Sequence, residues 1–335
     1  MSFALSILDQ SFTKSPDNAP QALQETIKMA QQAEMLGYKR FWVSEHHAFA
    51  TLSGSAPEVL IAALGAATKT IRLGSGGIML PHYSAYKVAE VFSLLANLYP
   101  NRIDLGVGRA PGADMTTAVA LATDGKPKFE RFGQLVTDLI QYLNDPEARP
   151  LVSPRPPKNL PVWMLGTSPD SAELAAQTGL PYNVALFINP QAPDQLIKLY
   201  KRYFNTSAGN SKKPYATITM SVFCAESEEL AKRHQLAFDI NFFRFVTGQR
   251  GANGSGLLTV EECQTYPMSS QLKEFINMRN ENRAVGTPEQ VVDKISRTAK
   301  TYSADEVMMV TNMLDYEDRR HSFALVKQAF DDLDR

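Results

Sequence analysis

The chain has 335 residues, 44% of them hydrophobic, and its 34 basic and 35 acidic side chains leave a formal net charge of −1. That length suits one large domain or two ordinary ones, and so balanced a charge supplies no electrostatic drive toward nucleic acid or an anionic membrane. The longest apolar stretch, residues 59–67, falls far short of the roughly 20 residues a membrane span needs. A small-molecule partner is therefore the expected one. The two cysteines, Cys224 and Cys263, are too few for a disulfide framework and lack metal-ligand spacing. The amino terminus has no basic n-region and runs directly into strand-like sequence, which predicts a cytoplasmic protein.

In chain order, β-rich runs occupy residues 3–8, 40–44, 71–77, 102–107, 162–165, 183–188, 217–224 and 306–310. Many lack polar alternation, as strands covered on both faces should. Helical patterns follow most of them. Asn18 and Pro20 open a segment striped by Leu23, Ile27, Ala30 and Ala33, and Gly37 sits where a helix C-terminus expects glycine. Ser55-Ala56-Pro57-Glu58 and Thr287-Pro288-Glu289-Gln290 each set a capping hydroxyl three residues before Glu or Gln. Strand–helix alternation repeated eight times predicts an α/β fold, a (β/α)8 TIM barrel forming one domain over 1–335. A doubly wound sheet with an appended domain is the alternative. Two stretches exceed minimal connectors and read as loop insertions, 110–128 and 247–286. The second carries Gly248, Gly251, Gly254 and Gly256 and suits an active-site lid, with a plain surface insertion as the competing reading.

The second run ends in Glu45-His46-His47, and active sites of parallel α/β proteins lie at the carboxyl ends of their strands. Consecutive side chains on an extended strand alternate in direction, so these three cannot all face one ligand. No His-Glu-x-x-His or His-x-His spacing is present, and no metal is expected. His46 reads best as a proton donor or hydrogen-bond partner. A histidine that only caps the strand or pairs with Glu45 remains the structural alternative.

Three further strand ends carry possible chemistry. Gly74-Ser75-Gly76-Gly77 permits close approach of a flat ligand, or simply a bulge. Gly106-Val107-Gly108-Arg109-Ala110-Pro111-Gly112 lacks the dinucleotide fingerprint, but the Arg109 guanidinium suits an anion, with a surface salt bridge as its alternative. Gly166-Thr167-Ser168-Pro169-Asp170-Ser171 places hydroxyls and free N–H groups at a helix start, a phosphate site that simple N-capping by Ser168 would equally explain.

The segments from Phe41 to His47, from Gly74 to Pro81 and from Asn101 to Gly112, with Val285-Gly286-Thr287-Pro288-Glu289 near the end, resemble in order and spacing the bacterial-luciferase-like family of flavin-dependent oxidoreductases. The likeness is to its single-polypeptide monooxygenase branch and covers residues 5–330. It implies a luciferase-like TIM barrel that binds reduced FMN as a dissociable cosubstrate and forms a flavin C4a-peroxide with O2 to oxygenate a small organic substrate. His46 would match the family's active-site histidine, and Gly76-Gly77 a position often in a non-prolyl cis peptide beside the flavin. Arg109 would match a phosphate-contacting arginine, with Ser168 and Ser171 completing the anion site and Arg131 a weaker match. A separate flavin reductase and a homodimer are implied as partners. The runner-up is an oxidoreductase of the same superfamily using the deazaflavin F420, and a third reading is a flavin-binding protein without catalysis, against which His46, Arg109 and the Ser168/Ser171 pair speak together. At Gly108 luciferase proper carries a reactive cysteine, so light emission does not carry over.

Overall fold

Nine parallel strands make up the sheet: β1 (Ala4–Asp9), β2 (Arg40–Val43), β3 (Arg72–Met79), β4 (Ile103–Gly108), β5 (Val162–Leu165), β6 (Tyr182–Ala185), β7 (Ala216–Cys224), β8 (Ala284–Gly286) and β9 (Glu306–Val310). The computed structural model describes residues 3–122, 124–208, 210–249 and 256–333. Strands β1 to β7 pair in sequence, β7 pairs with β9, and β9 returns to β1, so eight strands close the predicted barrel. The short β8 adds only to the end of β7, at Val222 to Cys224. Sequence patterning had no purchase on a three-residue strand.

Strands β2, β4 and β7 are buried along their whole length, because helices cover the barrel outside while side chains fill it inside. The filling is layered. Near the amino ends of the strands, Arg40 donates to Glu306 at 2.7 Å and to Asp104 at 2.6 Å, and Arg72 reaches Asp104 at 2.6 Å. Burial alone would push both carboxyls up, yet the flanking cations hold them below the usual range. Above this ionic layer Trp42 meets Trp163 edge to face, with ring centroids 5.1 Å apart, in a cluster with Leu8, Met308 and Val310. The barrel is therefore plugged below, and only its carboxyl end is open to chemistry.

Several local expectations shift. The sixth strand stops at Ala185 rather than 188, because Ile188 and Asn189 both turn back to bond the Ala185 carbonyl at 3.1 Å. The first helix, Ala19–Met35, buries Ala22, Thr26, Met29, Ala30 and Ala33, leaving Leu23 and Ile27 half-buried. Its face is turned by Thr26, whose hydroxyl bonds Asp9 at 2.9 Å and Ser11 at 3.0 Å. Ser55 does not cap the helix Pro57–Ala67; Ala56 holds the N-cap position without a side-chain bond. Thr287 does form a capping box with Gln290.

Among its described residues the excursion 247–286 contains two helices, Val260–Gln264 and Ser270–Arg279. Gly251 and Gly254 lie outside the described residues. Cys263 and Leu272 join Phe12, Ile240, Phe243 and Leu314 in a separate apolar cluster. Asn241 clamps the returning chain, donating to the Leu258 carbonyl at 2.9 Å and accepting from the Leu258 N–H at 2.8 Å. The insertion 110–128 likewise holds a helix, Met115–Leu121.

Candidate active site

At the carboxyl ends of the strands lies a cavity of about 820 Å³. That volume is typical of a cofactor or small-molecule site. Leu8, Trp42, Leu165 and Met308 form its apolar floor, with Asn183 and Thr219 as polar members. Gly76, Gly77, Arg109, Ser168 and Ser171 all line it, so five of the six residues singled out in the sequence come together.

The glycine pair gives one wall. Gly76-Gly77 is a non-prolyl cis peptide, at the register shift where β3 slips against β4 between Ser75 and Ile78. A Cβ on Gly76 would stand 2.7 Å from Leu8 Cδ1, and one on Gly77 would stand 2.5 Å from Leu165 Cδ1 and 2.8 Å from the Gly106 carbonyl. The bulge reading holds, since the pair sits in an irregular stretch of strand, and the absence of side chains leaves this wall bare. Gly108 also lines the cavity, but a Cβ there would meet only Met79 at 3.6 Å.

Arg109 follows β4 at the cavity edge, exposed, with no ion pair among the described residues. The surface salt bridge considered for it is not formed with any of the described residues. Across the cavity, Ser168 caps the helix Pro169–Thr178, its Oγ accepting from the Ser171 N–H at 3.3 Å. The Ser171 hydroxyl donates to the Ser168 carbonyl at 2.7 Å and lies 3.0 Å from the Tyr182 hydroxyl. Its single proton is thus engaged inside the cap, whereas the Ser168 hydroxyl has only a long 3.4 Å contact to Ser171 Oγ as a donor and is the one of the pair better able to donate outward. Capping and anion binding are compatible here, since the first turn also exposes N–H groups and the positive end of the helix dipole. Arg131 is exposed and does not line the cavity.

His46 stands apart from this lining. Its Nδ1 lies 3.0 Å from the Ser44 hydroxyl, and its ring meets Phe49 edge to face at 5.5 Å. Burial lowers its pKa from 6.5 to about 4, so the ring is neutral at physiological pH. Phe49 in turn contacts Phe245 at 5.2 Å, which links His46 to the helix Glu228–Val246. Glu45, just beyond β2, has other partners: fully buried, it accepts from the Met79 N–H at 2.9 Å and the Tyr83 hydroxyl at 2.7 Å, and pairs with His47 Nε2 at 2.8 Å. Residues 45–47 lie beyond the end of β2, yet His46 and the Glu45–His47 pair still make separate contacts, so the three do not converge on one point.

Sequence reasoning missed the floor. Leu8, Trp42, Leu165 and Met308 are inward-facing residues near the carboxyl ends of their strands, and alternation within each run would have found them. Phe129 and Phe132, which also line the cavity, lie around a short 3-10 turn with no strong sequence signal. Among the described residues no cluster of His, Cys, Asp or Glu is arranged to hold a metal, and no helix is long and apolar enough to cross a membrane.

Comparison with known proteins places this architecture. The family model described as luciferase-like monooxygenase matches residues 1–305. The Bacillus subtilis protein YwcH is 42% identical, covering 98% of this chain and 99% of that one. The N-acetyl-S-alkylcysteine monooxygenase of the same organism is 34% identical over 97% of both chains. The crystal structure of apo-MsnO8 superposes with a TM-score of 0.88 at 35% identity, covering 98% of each chain.

Proposed function

Because the chain belongs to the luciferase-like monooxygenase family, we propose that it is a flavin-dependent monooxygenase acting on a small organic substrate with reduced FMN and O2. The observation that carries this reading is the joining, in one cavity, of the bare Gly76-Gly77 wall with Arg109 and the Ser168 helix start. The glycine wall suits a flat ring. Arg109, unpaired among the described residues, and Ser168 suit a phosphate. Bound reduced FMN supplies the two electrons with which O2 is split, one oxygen atom entering the substrate and the other leaving as water. The chain's own residues would bind and orient: Trp42, Leu8 and Leu165 would keep water from the apolar floor, and Arg109 and Ser168 would hold the anion. His46, neutral and hydrogen-bonded at Nδ1, gives or takes a proton at Nε2.

The relative named as an N-acetyl-S-alkylcysteine monooxygenase makes a thioether the first substrate class to test, since a sulfur lone pair accepts an oxygen atom readily. A separate reductase would deliver the reduced flavin. A homodimer accords with the exposed apolar side chains Val59, Leu94 and Leu98 on the neighbouring helices Pro57–Ala67 and Ala85–Leu98. The test is to supply chemically reduced FMN, ¹⁸O2 and a thioether panel to the purified protein. A sulfoxide carrying one ¹⁸O atom supports the proposal. Turnover only with reduced F420, or hydrogen peroxide as sole product from every substrate, overturns it.

A further inference from the structure

The turn that follows β3, Leu80–His82, is a short 3-10 helix buried at all three positions. A surface connector would normally be wet, so its burial calls for an explanation. Its contacts supply one. His82 Nε2 lies 2.8 Å from the Pro111 carbonyl, and the Pro81 carbonyl accepts from the Lys128 N–H at 3.1 Å. The His82 ring also meets Phe129 edge to face at 5.9 Å. Pro111 and Phe129 both line the cavity, so one buried turn holds two of its walls.

Pro111 stands two residues beyond Arg109. The next carbonyl, that of Gly112, accepts from the His47 N–H at 3.0 Å. Two successive carbonyls behind Arg109 are therefore pinned, one by a side chain and one by the end of β2. Because a carbonyl only accepts, His82 must carry its proton on Nε2. Its Nδ1 is buried without a hydrogen-bond partner among the described residues. A ring held in one tautomer with its second nitrogen unsatisfied is a costly arrangement for packing alone, since a phenylalanine would fill the same space without an unpaired polar atom.

We propose that His82 is a positioning residue for cofactor binding: by holding the Pro111 carbonyl it fixes the loop from which Arg109 reaches the cofactor's phosphate. This rests on the FMN reading above. Its consequence is specific to the phosphate. On the FMN reading the flavin ring would sit toward Gly76-Gly77, which His82 does not touch, whereas the phosphate would depend on where the Arg109 loop stands. Losing the bond loosens Arg109 and costs affinity for FMN, while riboflavin, which has the same ring and no phosphate, is unaffected.

The experiment is a pair of binding titrations, FMN and riboflavin, on the wild-type protein, His82→Phe, His82→Gln, Arg109→Met and the double variant His82→Phe/Arg109→Met. His82→Phe keeps a ring against Phe129 and removes the donor; His82→Gln restores an amide donor. Loss of one such hydrogen bond corresponds to about a five-fold change in affinity. The expected result is FMN binding about five-fold weaker in His82→Phe with riboflavin binding unchanged, recovery in His82→Gln, and no further loss when His82→Phe is added to Arg109→Met. Equal weakening of FMN and riboflavin, or no weakening of either, overturns the inference alone. Wild-type protein that binds neither flavin overturns the cofactor reading itself. Should His82→Phe fail to fold, His82→Leu carries the same comparison.

Discussion

The Ser44 hydroxyl lies 3.0 Å from Nδ1 of His46, two residues along the same strand end. A hydroxyl both donates and accepts, so it can partner either neutral tautomer of the ring. Proton movement at Nε2 is then matched at Nδ1 without a change in ring position. Ser44→Ala is expected to lower kcat about five-fold, the worth of one hydrogen bond, with KM little changed, and Ser44→Thr to restore it. His46→Phe should cost roughly 10²- to 10⁴-fold, as removal of a general acid or base does. Steady-state kinetics with saturating reduced flavin checks both.

Stability should fall in mild acid because of the same ring. Its folded pKa of about 4 lies below the ordinary 6.5, mainly because burial disfavours the charged form. The unfolded chain thus takes up a proton below about pH 6.5 that the folded chain refuses until about pH 4. The contribution is complete above pH 6.5 and is lost as pH falls through that window, by about 2–3 kcal/mol. Urea unfolding of wild type and His46→Phe between pH 7 and pH 4 should show a shallower decline in the variant.

Gly77 and Gly108 line one cavity and should respond in opposite ways to alanine. At Gly77 the new methyl would press on the Gly106 backbone at 2.8 Å, which cannot move aside like a side chain. Gly77→Ala should cost about 1–3 kcal/mol, the usual range for overpacking, and weaken flavin binding. At Gly108 the nearest atom is 3.6 Å away, so Gly108→Ala should be tolerated. Thermal melts and flavin titrations of the two variants provide the comparison.

Arg40 is the hub of the ionic layer beneath the tryptophans. Arg40→Met would leave Glu306 without its closest cation and Asp104 with Arg72 alone. Breaking one side of a buried pair costs about 3–5 kcal/mol, so urea unfolding should shift by that amount. Arg109→Met, at the exposed end of the same barrel, should leave stability unchanged.

The barrel was legible in the sequence because its strands are covered on both faces and read as unbroken apolar runs. Gly76, Gly77 and Arg109 were legible because glycine clusters and a lone cation at strand ends are unusual. The helices within 247–286 were less so. Thr259 and Glu262 form a capping box in the structure, a signal overshadowed by the glycines before it. His82 could not be found at all by spacing, since its partner Pro111 is 29 residues away and only the β3–β4 pairing brings them together.

Trp42 lines the cavity, and Trp163 packs against it at 5.1 Å. These are the only two tryptophans in the chain, so all of its indole fluorescence originates beneath the proposed flavin. A flavin bound there absorbs where indole emits and should quench both. The most direct measurement is therefore an FMN titration followed by tryptophan emission. The account predicts saturable loss of most of the emission, with weaker binding in Arg109→Met. Emission that falls only by the inner-filter effect, identically in wild type and Arg109→Met, would contradict it.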